Sequence, residues 1–411
     1  MYMETSKNDF FYQRNPAIDI LRALTVLLMI FVNDFWSVSG VPEWMKHAGR
    51  GEDFLGLADV VYPVFLFVVG MSIPFALENR YRKGLSAEGT VLHIFARFFA
   101  LLVMGAFTDQ TLSSMSRDAA LTMPFWKLLM VPAFFLVWNT YPKTDKPVRY
   151  LYIALQILGV LLLCYLAYVF RDREGRFFRG SYGILGSIGW AYLVCALIYI
   201  FVRNNVSKIF LFWLGFLVYV IAASNPPQLI PREANIVSDL MRIASIGSTT
   251  LLTMSGVLFS LLLAKYSQLE VRKKIIFYVS LTAILTIAAF IANEFWIVAK
   301  MGATPPWVLY SCAIAVGTYG LLQWAVSKGK ASWFNIVKAG GTATLSCYVM
   351  PYFLQPLFYS FNYGILPKTL NGLLPVWAKT DFLGLVKCFL WALLCIGFTA
   401  LLEKGKIKLK I

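Results

Sequence analysis

The sequence predicts an all-α membrane protein: a polytopic bundle of about twelve transmembrane spans (10–12) with both termini in the cytoplasm. Three observations carry that expectation. The 411-residue chain is 59% hydrophobic and only 14% charged, whereas about a quarter of a soluble domain is charged. Apolar runs of about twenty residues, the length that crosses a bilayer, recur along the whole chain. Lys and Arg gather in alternate connections, which is the pattern of a membrane protein with its basic loops inside. The net charge of +16 is therefore assigned to topology. Nucleic acid is not expected as a partner, because no soluble segment interleaves basic and aromatic residues.

Taken in order, residues 1–16 are read as a polar cytoplasmic segment, 17–402 as the transmembrane domain and 403–411 as a basic cytoplasmic tail. The run after residue 16 is too long for a signal-peptide core and reads as a retained span. The expected spans are 17–37, 55–79, 91–111, 121–139, 149–170, 183–202, 207–223, 246–266, 275–297, 306–326, 339–360 and 382–402. Those at 121–139 and 207–223 are short or interrupted by proline or lysine, so whether they cross is left open. With the N-terminus inside, the inner segments hold nearly twice as many Lys and Arg as the outer ones. The arginine-rich stretch 171–180 alone runs against this order. The orientation puts the 37–54 loop outside the cytoplasm. The six cysteines lie in apolar runs without metal-ligand spacing, so neither a metal nor a disulfide framework is expected.

The polar residues that stand out cluster between 15 and 80. Asp19, Arg22 and Asn33 lie in or at the edge of the first apolar run, where ionisable groups are costly unless they face protein or a water-filled cavity. At ~100° per residue, Arg22 and Asn33 return to within ~20° of one face, and Asp19 precedes Arg22 by three positions on that side. His47, one of two histidines, sits in the following loop. An imidazole titrates near neutrality and can serve as a base or carry an acyl group; the plainer reading is a solvated loop histidine. Asp59, twelve residues on, either orients that imidazole or caps the second helix. Asp19 and Arg22 read equally as a buried ion pair. On physics alone Lys300 is an interfacial anchor, and His93 with Arg97 a topology signal. Asn293 and Glu294 form a polar pair at membrane depth. Trp36, Trp44, Trp138, Trp190, Trp296 and Trp307 read as an interfacial belt.

The order Asp19-x-x-Arg22, Phe31-Val32-Asn33, His47 and then ADVVYPVFLFVVG at 58–70 resembles the heparan-α-glucosaminide N-acetyltransferase family of integral membrane acyltransferases. Looser likenesses follow at 183–200, 245–263 and 299–317, the last with Lys300 at the family's lysine position. Ala23 stands where the family has glycine, and residues 112–180 add two spans. The resemblance implies transfer of an acetyl group from cytoplasmic acetyl-CoA to an amine or hydroxyl of an extracytoplasmic amino sugar or glycan, by N- or O-acetylation. It implies His47 as the catalytic residue with Asn33 as its partner. Asp59 joins them as the third candidate, while Arg22, Asp19 and Lys300 are the candidates for holding acetyl-CoA. A ternary complex and an acetyl-histidine both stay open. The expected setting is a bacterial inner membrane with the His47 loop in the periplasm, and the relatives suggest a homodimer. The rival reading is a secondary transporter using Asp19, Arg22 and Asp59; a third is an inactive relative serving as a scaffold.

Overall fold

The computed structural model describes residues 10–110, 115–116, 119–142, 145–172, 182–224, 247–359 and 381–411. Most of the arginine-rich stretch at 171–180, and nearly all of the 224–245 and 361–381 connections, lie outside the described residues. The described helices are α1 (Pro16–Asn33), α2 (Leu57–Arg82), α3 (Ala87–Thr108), α4 (Met123–Trp138), α5 (Lys146–Val169), α6 (Gly183–Val202) and α7 (Val206–Ala223). They continue with α8 (Gly247–Lys265), α9 (Val271–Asn293), α10 (Pro305–Ser327), α11 (Lys338–Thr342), α12 (Thr344–Tyr359) and α13 (Asp381–Lys404). No strand occurs among the described residues, only the bridge pairs Met115–Asp172 and Asn139–Leu409. Ten of the helices are long and apolar enough to cross a membrane. The architecture is a polytopic helical bundle.

Local chemistry explains where these helices begin. Asn15 accepts the amide hydrogen of Ala17 at 3.1 Å, capping α1. Asn205 does the same for α7 through Lys208. Prolines occupy the first turn of α4, α5 and α10, where a missing N–H costs nothing. The 207–223 run, left open above, forms α7 (Val206–Ala223), which is long and apolar enough to cross a membrane, whereas 121–139 yields the 16-residue α4. The run at 339–360 breaks into α11 and α12 at Ala343. Helices α5, α7 and α9 bury little of their surface, 17%, 11% and 6% of their most apolar windows. Their outward residues, among them Ile157, Phe210, Val279, Ile287 and Phe290, are large and apolar. That is a lipid-facing surface.

The chain divides into two compact units. The first comprises Met1–Thr25, Pro42–Phe99 and Ser187–Asn335. Its core is the close pairing of α2 with α8. A Cβ at Gly70 would run into the Thr253 carbonyl, and one at Gly256 into that of Phe67. Two glycines therefore let the backbones touch, as small residues do between membrane helices. Ser260 adds an interhelical hydrogen bond to the Met71 carbonyl at 2.9 Å. At the far end of α2, the fully buried Glu78 accepts two hydrogen bonds from Arg203, at 2.7 and 2.8 Å, and one from Tyr199 at 3.1 Å. The second unit comprises Val26–Val41, Ala100–Gly186 and Ile336–Ile411. There α4 packs on α5 and α12, and the buried Trp126 donates to the Leu166 carbonyl at 2.9 Å. The basic tail is docked within this unit: Lys408 N–H bonds Asn139, and Leu409 N–H bonds Ser346.

Candidate active site

The first unit builds a polar cluster at the start of α2. The loop before it turns through a short 3-10 segment, Glu43–Met45, whose Met45 is buried as an anchor. It returns to Gly56, the residue that caps α2. A Cβ at Gly56 would collide with the carbonyl of Lys46, so the glycine lets the loop fold back on the helix. This closure brings His47 against Asp59. The His47 Nδ1 lies 2.7 Å from Asp59 Oδ1, and Asp59 Oδ2 accepts the Ala48 N–H at 2.8 Å. The Asp59 side chain is 2% exposed and that of His47 52%. Asp59 stands in the first turn of α2 without capping it, since the capping position belongs to Gly56 and both carboxylate oxygens serve the loop.

Lys300 completes the cluster from the connection between α9 and α10. Its Nζ donates to the Ala58 carbonyl at 3.3 Å and approaches Asp59 Oδ1 at 3.8 Å and His47 Nδ1 at 3.4 Å. An ammonium and a protonated Nδ1 cannot share one hydrogen bond. The 2.7 Å contact to a carboxylate is the stronger, so the proton on Nδ1 is assigned to the Asp59 bond. That leaves the Nε2 lone pair as the ring's basic atom. Burial holds the Lys300 amine below its ordinary range, opposed by the attraction of Asp59. Lys300 is thus a member of the cluster and not the surface anchor that physics alone suggested. Trp307, expected in the interfacial belt, is instead 2% exposed, and its indole N–H donates to the Asp59 carbonyl at 3.0 Å.

A further support was not legible in the sequence. Asp53 Oδ1 accepts the Val298 N–H at 2.7 Å, Asp53 Oδ2 accepts from Asn293 Nδ2 at 3.2 Å, and Phe54 N–H donates to the Val298 carbonyl at 3.3 Å. These bonds tie the His47 loop to the segment that carries Lys300. Asn293, read as half of a polar pair with Glu294, spends its amide on this tether.

Residues 14–232 match the family described as a domain of unknown function, DUF5009. The chain belongs to that family. Human heparan-alpha-glucosaminide N-acetyltransferase is 32% identical over 93 residues, which are 22% of this chain and 13% of the human protein. The chain therefore matches only a small part of that relative's length, and a glycan N-acetyltransferase stands among the distant relatives of this DUF5009 protein.

The other predicted residues fall elsewhere. Asp19 and Arg22 pair at 3.3 Å near the start of α1. Arg14 approaches Asp19 at 2.5 Å, and Arg22 also donates to Ser72 Oγ on α2 at 2.6 Å. Ser72 is thirteen residues beyond Asp59, about 20 Å along α2. Arg97 lies within electrostatic range of Arg22 and stacks over the Tyr192 ring at 4.5 Å. Asn33 belongs to the second unit, where it is exposed at the end of α1. It lines a cavity of about 210 Å³ with Asp34, Tyr348, Tyr352, Gln355 and Trp391. Next to it, Lys387 Nζ stands 3.6 Å from the buried Asp34.

Proposed function

We propose that this protein is a membrane-embedded acyltransferase, which moves an acetyl group from cytoplasmic acetyl-CoA to an amine or hydroxyl of an extracytoplasmic sugar. The supporting observation is the His47–Asp59 pair with its Nε2 edge turned out of the bond and a lysine beside it. Asp59 fixes the tautomer, so His47 Nε2 takes the proton of the attacking amine or hydroxyl as that atom bonds the thioester carbonyl carbon. The tetrahedral intermediate collapses with cleavage of the C–S bond, and the imidazolium returns the proton to the leaving thiolate. The products are the acetylated acceptor and free CoA, with no change of oxidation state.

Lys300 is assigned to stabilise the thioester oxygen as its charge develops. The resemblance alone proposes Asn33 as an amide donor in the reaction. Arg22, held by Asp19 and Ser72 about 20 Å along α2 from Asp59, is assigned to the anionic part of acetyl-CoA. Arg14 and Arg97 add positive charge around it, and three guanidinium groups against one carboxylate make an anion-attracting surface. In this reading the donor enters at the α1 start, and its acetyl end reaches the His47 loop, which faces the periplasm of a bacterial inner membrane.

The experiment is acetyl transfer by purified full-length protein in detergent, with labelled acetyl-CoA and a panel of amino sugars, for wild type and His47→Ala. CoA release in the wild type that is lost in the variant is the expected result. Label retained on wild-type protein but not on His47→Ala would select an acetyl-histidine over direct transfer. Equal CoA release by both proteins would remove His47 from the chemistry, and no release with any acceptor would overturn the acyltransferase reading.

A further inference from the structure

An apolar groove of about 550 Å³ lies in the first unit, apart from the His47 cluster. Helix α7 packs on α8 and α9 packs on α10, and the groove runs between the two lipid-facing helices, α7 and α9. Phe67 of α2, Phe259 of α8 and Val316 of α10 form its floor. Phe210, Leu211 and Ile284 form its rim and are exposed, so the groove opens where the surface meets hydrocarbon. Inside it, the Trp213 indole N–H donates to Ser255 Oγ at 2.7 Å, and Ser255 donates to the Leu251 carbonyl at 2.7 Å. That pair is satisfied within the wall, and what remains for a ligand is a hydrocarbon surface. Along α7 the lining runs from Val206 to Trp213, about 10 Å at 1.5 Å per residue. One leaflet of a hydrocarbon core about 30 Å thick is about 15 Å deep, so the groove has the reach of a single lipid chain.

One end of the groove is basic. Gly247 meets Tyr219 while Ser255 meets Trp213, so α7 and α8 run antiparallel, and a short connection turns α8 back into α9. Helices α7 and α9 therefore begin at the same end, the one away from Asp59. Lys208 stands in the first turn of α7, and Arg272 and Lys273 in the first turn of α9, all exposed. Glu270 approaches Lys273 at 3.9 Å and is the one carboxylate in these turns. The positive ends of two helix dipoles add to the three cations. We infer that the groove holds one acyl chain of an anionic phospholipid, whose headgroup phosphate meets Lys208, Arg272 and Lys273. In the orientation proposed above this end is cytoplasmic, and the lipid belongs to the inner leaflet. A zwitterionic headgroup would bring its own ammonium to the same cations. A second copy docked here about a two-fold axis would bring like charges together. The site is independent of the acyl chemistry at His47.

The test uses the intact protein in dodecyl maltoside micelles carrying phospholipid brominated at mid-chain, since bromine on a chain in the groove quenches the Trp213 indole. Fluorescence is read for wild type and Trp213→Phe, and the difference isolates Trp213. With brominated phosphatidylglycerol that quenching is expected to saturate and to be displaced by the unbrominated lipid. Brominated phosphatidylcholine should need at least ~tenfold more lipid. Lys208→Ala and Arg272→Ala should each weaken phosphatidylglycerol ~fivefold, the scale of one cation at an anionic lipid. Lys404→Ala, on the second unit, removes the same charge and should leave the affinity unchanged. All three positions are exposed, and gel-filtration profiles matching wild type exclude misfolding. Equal affinity for the two lipids would overturn the anionic assignment, as would unaltered affinity in both groove variants. No Trp213-dependent quenching with either lipid would overturn the chain site and leave the groove to a second copy of the protein.

Discussion

Replacing Asp59 by Asn tests the cluster most directly, because it changes one heavy atom and almost no volume. In the wild type, one carboxylate oxygen holds the His47 Nδ1 at 2.7 Å and the other accepts the Ala48 N–H at 2.8 Å. An asparagine can satisfy only one of these as an acceptor. If its oxygen keeps the Ala48 bond, its NH₂ group faces Nδ1, which must then accept. The imidazole proton moves to Nε2, and the basic lone pair disappears from the edge that faces the acceptor. A positioned general base contributes ~10²–10⁴-fold, and the loss of kcat/KM should fall in that range. The change also strips Lys300 of the carboxylate 3.8 Å away, so the amine loses the attraction that offsets its burial and becomes neutral at lower pH than in the wild type. The assay is steady-state CoA release across pH, with circular dichroism and gel filtration to check the fold. A folded Asp59→Asn protein within about threefold of wild-type kcat/KM would refute the tautomer argument.

Other predictions follow from the same structure. Lys300, held low by burial, loses its charge below the usual lysine value of about 10.4; activity that needs the cation is full at lower pH and falls as pH rises through that point, and Lys300→Arg should move the alkaline limb upward in a pH–kcat/KM profile. Gly256→Ala drives a methyl group into the Phe67 carbonyl, a backbone atom that cannot rotate away, so a cost of ~1–3 kcal/mol or more is expected and should appear as a lower melting temperature in detergent; an unchanged melt would show that α2 and α8 can separate freely. Arg203→Ala leaves the fully buried Glu78 without its half-exposed cation, which should lower the melting temperature because the remaining charge is uncompensated, and Glu78→Gln in the same background should restore part of the thermal stability. Equal melts for the single and double variants would deny that the charge is the cause.

The helices were legible because their signal is local. About twenty apolar residues in a row mean a span whatever the neighbours do, and proline and asparagine mark starts that can be read from a few residues. The break of the 339–360 run at Ala343 follows the Gly340–Gly341 pair, a local sign outweighed by the apolar length of the run. The same division runs through the candidate site. His47 and Asp59 carry chemistry that their residue types announce. The Ala48 N–H that fixes the second Asp59 oxygen is a backbone group, and Gly56 acts by what it lacks. Lys300 could be suspected only from a pattern, because it lies far from Asp59 in the chain and nothing local predicts a contact at that range. Trp307 misled for a related reason: tryptophan near a span end fits the interface, and only the fold shows its N–H spent on the Asp59 carbonyl.

Asp59 also explains why the cluster has the composition it has. A carboxylate at 2% exposure is costly to ionise without partners. Its charge is stabilised jointly by the His47 ring, the Ala48 N–H and the Lys300 ammonium. With Lys300 present, the negative charge is already balanced while His47 is neutral, so the imidazole need not be protonated for the site to be stable. That is the resting state a base requires. When His47 takes a proton, the site carries one net positive charge beside the position assigned to the acceptor, and returning the proton to a thiolate removes it. Lys300→Met separates this account from a purely structural role for the lysine. The apolar isostere keeps the Asp59–His47 bond and removes only the cation, so kcat/KM should fall while the protein remains folded. A folded variant with wild-type kcat/KM would mean that the lysine takes no part in the chemistry.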